Sequence, residues 1–273
     1  MNISGMRIAI LGTGNIGAAI ARGVVSAGLL THDRIILTRR HEAALQSFAK
    51  EGFGTETDNA RAVAGSDLIF IAVTPQHLNG LLASIRPAID PARHTIVSIV
   101  SGATIAQIRS QLGVEVPIIR AMPNTAIAIR ESMTCLAADK GADRVLPAVR
   151  TLFEGLGKAV VIEEDLMVPA TALCACGIAF FLRAVRAASQ GGIEIGFHAD
   201  EALLMAAQTA RGAASLLVAG GHPEAEVDKV TTPQGCTISG LNQMEHNGFS
   251  SALIKGIVSS AEKAAVLYAP KPI

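Results

Sequence analysis

The first half of the chain is a series of short, uninterrupted apolar runs, each followed by a stretch whose apolar positions recur at helical spacing. Arg7-Ile8-Ala9-Ile10-Leu11, Arg34-Ile35-Ile36-Leu37-Thr38 and Leu68-Ile69-Phe70-Ile71-Ala72-Val73 have the length and content of strands buried on both faces. Further strands are predicted at 95–99, 117–122, 134–138 and 159–162. Helices are predicted from the Gly12 to Gly17 turn to about Ala27, then at 41–50, 58–64, 78–89, 105–111 and 143–156. Such alternation predicts right-handed crossovers and an α/β, Rossmann-like, doubly wound parallel sheet.

After Glu163-Glu164-Asp165 the rhythm changes and only helical patterns follow. One runs over 167–190 and ends at Gly191-Gly192. The next is expected to start at Asp200 as N-cap and to end at Gly220-Gly221. Pro223 suits the first position of a short third helix, and two more follow Thr237 and Ser250. The chain is therefore expected to divide into a sheet domain, residues 1–163, and an all-α domain, residues 164–273. Residues 166–182 carry no charge but fall just short of a membrane span and contain Pro169 and Thr171. They are read as a helix buried in a core or between subunits, with no membrane partner.

Composition narrows the picture. Half of the 273 residues are hydrophobic, only 3% are aromatic and none is Trp, so the core is built from close-packed aliphatic side chains. A formal net charge of +0 argues against a nucleic-acid partner and, with so few charges, for a buried subunit contact. Cys135, Cys174, Cys176 and Cys236 match neither a CxxC pair nor a zinc framework, and the seven histidines show no ligand spacing. With no cationic, apolar leader ahead of the first strand, the expectation is a reduced, cytoplasmic protein without a metal site.

Gly12-Thr13-Gly14-Asn15-Ile16-Gly17 stands between a buried strand and a helix, the context of a dinucleotide fingerprint. Gly12 suits the tight turn, Gly14 the approach of a pyrophosphate, and Gly17 close helix–strand packing. At the end of the second strand, where an NAD site carries an acid for the ribose 2′-OH, the chain reads Thr38-Arg39-Arg40. Two guanidiniums and a hydroxyl suit a 2′-phosphate, so NADP(H) is expected, with NAD(H) as the alternative.

Val230-Thr231-Thr232-Pro233-Gln234-Gly235-Cys236-Thr237 is a turn running into an amphipathic helix, and outward N–H groups at such a start can hold a small carboxylate. Marks of other nicotinamide enzymes are missing. The sole tyrosine, Tyr268, has Lys271 three residues on rather than four, and no Lys lies between Lys158 and Lys229. Lacking a strong acid–base candidate, the pattern favours a C=N substrate, since a protonated imine is already electrophilic.

These residues resemble the pyrroline-5-carboxylate reductases over nearly the whole chain. Leu11 to Gly17 matches, Ala72-Val73-Thr74-Pro75-Gln76 is similar to Ala-Val-Lys-Pro-Gln, and Arg120-Ala121-Met122-Pro123-Asn124-Thr125 to Arg-x-Met-Pro-Asn-Thr. Val230 to Thr237 is similar to Val-Thr-Ser-Pro-Gly-Gly-x-Thr. The resemblance implies that Asn59, Ala72, Val73 and Pro75 line the adenosine and ribose side of the cofactor, with Met122, Pro123 and Asn124 beside the nicotinamide. It implies that Thr232 and the backbone of Gly235, Cys236 and Thr237 hold the substrate carboxylate, and that the Thr237 hydroxyl, the catalytic group, faces the ring nitrogen. It also implies that the helical domain intertwines with a second copy, placing the site at a dimer interface, and that five dimers can form a decamer.

Read from the residues alone, Thr237 could instead be an N-cap, Asn124 a turn-capping residue and Cys236 a small buried apolar group. The chain departs from the family where Leu173-Cys174-Ala175-Cys176-Gly177-Ile178-Ala179 stands in place of Ser-Gly-Ser-Gly-Pro-Ala. Gln234, Thr74 and Ala126 replace a Gly, a Lys and a Pro. The leading expectation is NADPH-dependent reduction of 1-pyrroline-5-carboxylate to L-proline. The alternatives are a reductase of another cyclic imine or small ketoacid, and a non-catalytic NADPH-binding sensor.

Overall fold

The computed structural model describes residues 3–268, so Lys271 lies outside the described residues. Two compact units divide them: residues 3–176 together with 260–268, and residues 177–259. The division in space falls later than the change of sequence rhythm at 163.

The first unit holds one eight-stranded sheet in the order β3-β2-β1-β4-β5-β6-β7-β8. Its strands are β1 (Ile8–Leu11), β2 (Ile35–Thr38), β3 (Gly54–Glu56), β4 (Leu68–Ile71), β5 (Thr95–Ser98), β6 (Ile118–Met122), β7 (Ser132–Ala138) and β8 (Gly157–Val161). Between them lie α1 (Asn15–Ser26), α2 (Gln46–Lys50), α3 (Asn59–Ala64), α4 (Pro75–Ile85), α5 (Ile105–Leu112) and α6 (Leu146–Glu154). The left part of the order, 3-2-1-4-5-6, is the doubly wound arrangement that opens a crevice between β1 and β4 at their carboxyl ends.

The sheet is not parallel throughout, as the strand–helix alternation predicted. β6 and β7 pair antiparallel, with Met122 opposite Cys135, while β7 and β8 are parallel. The link from β6 to β7 holds only a 3₁₀ turn, Thr125–Ile129, too short for a crossover that needs a dozen or more residues. β3 is a three-residue edge strand that no apolar pattern announces.

Strand alternation divides the core in two. Ile8, Ile10, Leu68 and Phe70 face one side with Ile20 and Val24 of α1 and Leu152 and Phe153 of α6. Ala9, Leu11, Ile69 and Ile71 face the other with Leu78 and Leu82 of α4, Ile108 of α5 and Tyr268. The Tyr268 hydroxyl donates to Asn79 Oδ1 at 2.5 Å, tying the end of the described chain onto α4.

The helical run at 164–194 is long and apolar enough to cross a membrane by length and composition. It is not one regular helix. After α7 (Met167–Ala170), residues Thr171–Cys176 form a π-helical segment before α8 (Gly177–Glu194). The second unit continues with α9 (Ala199–Val218), α10 (Pro223–Lys229) and α11 (Cys236–His246), and α12 (Phe249–Ala265) runs from this unit into the first. The N-cap of α9 is His198, whose N–H is bonded by Glu201 at 3.3 Å; Asp200, expected as the cap, sits inside the first turn. Its charge still suits the exposed N–H groups there.

α8 and α9 approach closely, since a Cβ on Gly192 would lie 3.0 Å from Ala202 Cβ. Beyond Gly177, Ser189 and Ala202 the helices of this unit bury almost nothing of their own. Phe181 (61% exposed), Leu204 (72%) and Ile254 (62%) are among many large apolar side chains left uncovered. An apolar surface of this extent marks a protein–protein contact.

Candidate active site

A cavity of about 600 Å³ opens over the carboxyl ends of β1, β2 and β4. Of the predicted cofactor residues, Gly12, Thr13, Gly14, Thr38, Arg39, Arg40, Asn59, Ala72 and Val73 line it. Asn15, Ile16 and Gly17 lie just behind, in the first turn of α1, and Pro75 is the first residue of α4. His41, Thr57, Thr74, Gln76, His77 and Ser84 also line it and were not anticipated. Thr74 and Gln76 had a signal, as members of the Ala72-Val73-Thr74-Pro75-Gln76 segment.

The turn after β1 explains the three glycines. Gly12 has φ +86°, and a Cβ there would lie 2.5 Å from Val73 Cγ1. A Cβ on Gly17 would lie 3.0 Å from Ile10 Cγ2, which sets how closely α1 rests on the strand. At Gly14, by contrast, a Cβ would meet nothing within 4 Å, so the surface there is bare backbone facing open space. Gly14 is also the N-cap position of α1, and neither α1 nor α4 has a side-chain cap. The start of α1 therefore presents N–H groups with no partner among the described residues, the environment that favours a pyrophosphate, whereas α4 begins with Pro75, which has no N–H, and its His77 N–H is bonded to the Thr74 carbonyl at 3.0 Å. The residues fit a dinucleotide.

The second strand supports this turn from the side. The buried Thr38 hydroxyl accepts from the Gly12 N–H at 3.2 Å and donates to Asn59 Oδ1 at 2.6 Å, while its carbonyl accepts from the Thr13 N–H at 2.9 Å. Its single proton is thus already engaged, and Thr38 braces the loop rather than offering a donor to a 2′-phosphate. Arg39 is similarly occupied: its Nε donates to the Thr13 carbonyl and its guanidinium lies 5.9 Å from the Phe48 ring centre. Arg40 is exposed and, among the described residues, makes no hydrogen bond or ion pair. Its charge stands at the cavity's edge.

Met122, Pro123 and Asn124 do not line the cavity; Met122 ends β6 and the other two follow it in the same unit. Met122 is buried, with Ser101 Oγ 3.9 Å from its sulfur. Asn124 caps the following 3₁₀ turn through the Ala126 N–H at 3.0 Å, donates to the Cys174 carbonyl at 3.2 Å, and receives support for its own N–H from Ser132 Oγ at 3.1 Å. It fixes backbone, as the plainer reading of the residues held. Arg120, one strand position from Ala121, is buried, with Nη1 3.2 Å from Glu164 Oε1. Burial lowers its pKa, and the Glu164 carboxylate opposes that. The same carboxylate oxygen accepts from the Ile105 N–H at 2.6 Å, so the motif's arginine anchors the chain where the helical run begins.

In the second unit, Thr232 to Gly235 form a turn closed by the Gly235 N–H on the Thr232 carbonyl at 2.9 Å. Pro233 and Gln234 occupy its centre, and Gln234 has φ +58°, the left-handed region a glycine occupies without strain. Gly235 is the N-cap position of α11 and supplies no side-chain cap. Thr237 is therefore inside the first turn and is not the cap that the plainer reading allowed. Cys236 is exposed and not buried as expected. The uncapped N–H groups of this turn are free to take a carboxylate, with the Thr237 hydroxyl one residue on.

Comparison with known proteins agrees with both halves. A family model described as pyrroline-5-carboxylate reductase dimerisation matches residues 164–267, and one described as NADP oxidoreductase coenzyme F420-dependent matches residues 7–102. The chain is 52% identical to pyrroline-5-carboxylate reductase 1 of Dictyostelium discoideum, over 97% of this chain and 50% of that protein. It thus spans about half the length of that relative. It is 48% identical to pyrroline-5-carboxylate reductase 2 of the same organism, over 94% of this chain and 91% of the other. The crystal structure of Plasmodium falciparum pyrroline carboxylate reductase with NADP bound has the same fold, with a TM-score of 0.89 at 22% identity, covering 98% of this chain and all of that one.

Proposed function

The chain belongs to the pyrroline-5-carboxylate reductase family, and we propose that it reduces the imine of 1-pyrroline-5-carboxylate to L-proline with NADPH as hydride donor. One observation carries the reading. A single chain supplies a bare-backbone dinucleotide turn with a free guanidinium at its edge and, separately, an uncapped helix start bearing a hydroxyl in its first turn. NADPH, when bound, supplies the hydride.

The chain's residues bind and orient. The N–H groups at the start of α1 take the pyrophosphate, and Arg40 takes the 2′-phosphate. Ala72, Val73 and Pro75 wall the ribose side, while Met122, Pro123 and Asn124 form a fixed surface for the nicotinamide. Thr232 and the backbone of Gly235, Cys236 and Thr237 hold the substrate carboxylate. The Thr237 hydroxyl bonds the ring nitrogen, orienting the imine and steadying the amine as charge is lost. With no strong acid required, rate comes mainly from holding the reactants in a near-attack geometry.

The division follows the sequence: residues 1–163 serve the dinucleotide and those from 164 onward serve dimerisation and substrate. The uncovered faces of α8, α9 and α12 pack on a second copy in an intertwined homodimer, and dimers assemble further into a decamer. Four free cysteines suit the reducing cytoplasm. The test is NADPH oxidation on adding 1-pyrroline-5-carboxylate, with proline identified as product. Absence of turnover with tight NADPH binding would favour a sensor. Turnover only on other members of a panel of cyclic imines would move the substrate, as the altered 173–179 segment would then explain.

A further inference from the structure

We propose that Cys174 and Cys135 form a peroxide-oxidisable pair that closes to a disulfide and, through Asn124, disturbs the end of β6. The pair stands on geometry. Cys135 is a buried residue of β7, and Cys174 is half-buried in the π-helical segment, with the two sulfurs 3.9 Å apart. A disulfide needs about 2.05 Å between sulfurs, so the gap to close is about 2 Å.

The two thiols sit on different kinds of backbone. Cys135 is held in ladders on both flanks, opposite Met122 on β6 and Val160 on β8. Cys174 sits where the helix is π-wound, a local departure from the regular α-helical ladder. Closure therefore moves Cys174 toward β7. Its carbonyl is the acceptor for Asn124 Nδ2, so that movement is felt at the residue directly after Pro123. The roles of the two thiols differ. The contact with Cys135 lowers the pKa of Cys174, against the effect of burial. That same contact, with burial, pushes Cys135 up. Cys174, half-buried where Cys135 is buried, is the thiol a peroxide reaches, and so is the attacking thiolate, with Cys135 the resolving thiol.

The oxidant is hydrogen peroxide. The Cys174 thiolate attacks one peroxide oxygen, the O–O bond breaks, and the other oxygen leaves as water after taking a proton. Sulfur is oxidised by two electrons to a sulfenic acid, and the peroxide is reduced by two. The Cys135 thiol then attacks that sulfur, the S–S bond forms, and its proton leaves with the sulfenic oxygen as a second water.

The experiment treats the reduced, full-length protein with hydrogen peroxide, alkylates free thiols, digests without reductant and identifies linked peptides by mass spectrometry. A Cys135–Cys174 link is expected, abolished in Cys135→Ser, where Cys174 is instead trapped by dimedone as the sulfenic acid. Cys236→Ser should keep the link. In the wild type the linked form should lose imine reduction by about tenfold or more, the scale of an ångström-size displacement near a reacting centre, with recovery on dithiothreitol. Cys135 and Cys174 recovered unlinked after peroxide would overturn the proposal, as would linked protein with undiminished turnover. The peptide readout needs no turnover, so a reduced protein inactive on the imine would count against the functional reading, on which only the activity arm rests.

Discussion

Arg39 and Arg40 are neighbours in sequence, yet the structure gives them different duties, and mutation should separate them. Arg40 is exposed and unpaired at the edge of the dinucleotide cavity, whereas Arg39 is bonded to the Thr13 carbonyl and stacked near Phe48. A sheltered charge-assisted hydrogen bond is worth about 1.5–3 kcal/mol, and screening at an exposed site trims this to about 1–2. Arg40→Ala should therefore lower kcat/KM for NADPH by about 5–30-fold. NADH has no 2′-phosphate, and its kcat/KM should hardly change. Raising ionic strength should shrink the wild-type preference for NADPH and leave that of Arg40→Ala flat. Arg39→Ala removes a brace of the glycine turn and should weaken both cofactors alike. Steady-state kinetics with each cofactor at two salt concentrations decide the matter. Equal losses for NADPH and NADH in Arg40→Ala, or an NADPH-only loss in Arg39→Ala, would refute the assignment.

Thr237→Ala should cost about 1–3 kcal/mol in kcat/KM, the range for a lost polar contact, with recovery in Thr237→Ser; wild-type rates in the alanine variant would remove Thr237 from the mechanism. His94 is buried and accepts the Asp90 N–H on Nδ1 at 2.9 Å. Burial, helped by the Arg93 charge, lowers its pKa from 6.5, so the unfolded chain binds the proton more readily. Its contribution is then full above that ordinary value and is lost as pH falls below it, and His94→Asn should flatten this part of a urea-unfolding profile taken against pH. Leu204→Glu, at a position 72% exposed in the single chain, should give a smaller species by light scattering, because the charge would enter the proposed subunit contact; an unchanged mass would place that contact elsewhere.

Much of the first unit was legible because its instructions are local. Buried apolar runs, the Gly12-Thr13-Gly14 turn and the helices between them depend on residues close in sequence, and so does the uncapped start of α11. Strand direction does not: an apolar run reads the same in either sense. The antiparallel β7 was signalled only by the short link after Met122, and β3 was too short to show a period. The π-helical turn at Thr171–Cys176 was hidden for a related reason, since apolar spacing does not record which carbonyl each N–H chooses.

The sequence by itself determined that an alternating strand–helix half binds a dinucleotide, that a helical half follows, and that a Pro-Gln-Gly turn opens one of its helices. Only the tertiary structure decided what each polar side chain is left free to do. Thr38, Arg39 and Asn124 looked alike as binding groups, but each already holds backbone in place, and Arg40 alone of that strand end keeps its charge unspent. A hydrogen bond has a direction and a limited number of partners, and which partners come within reach is a matter of packing between segments distant in the chain.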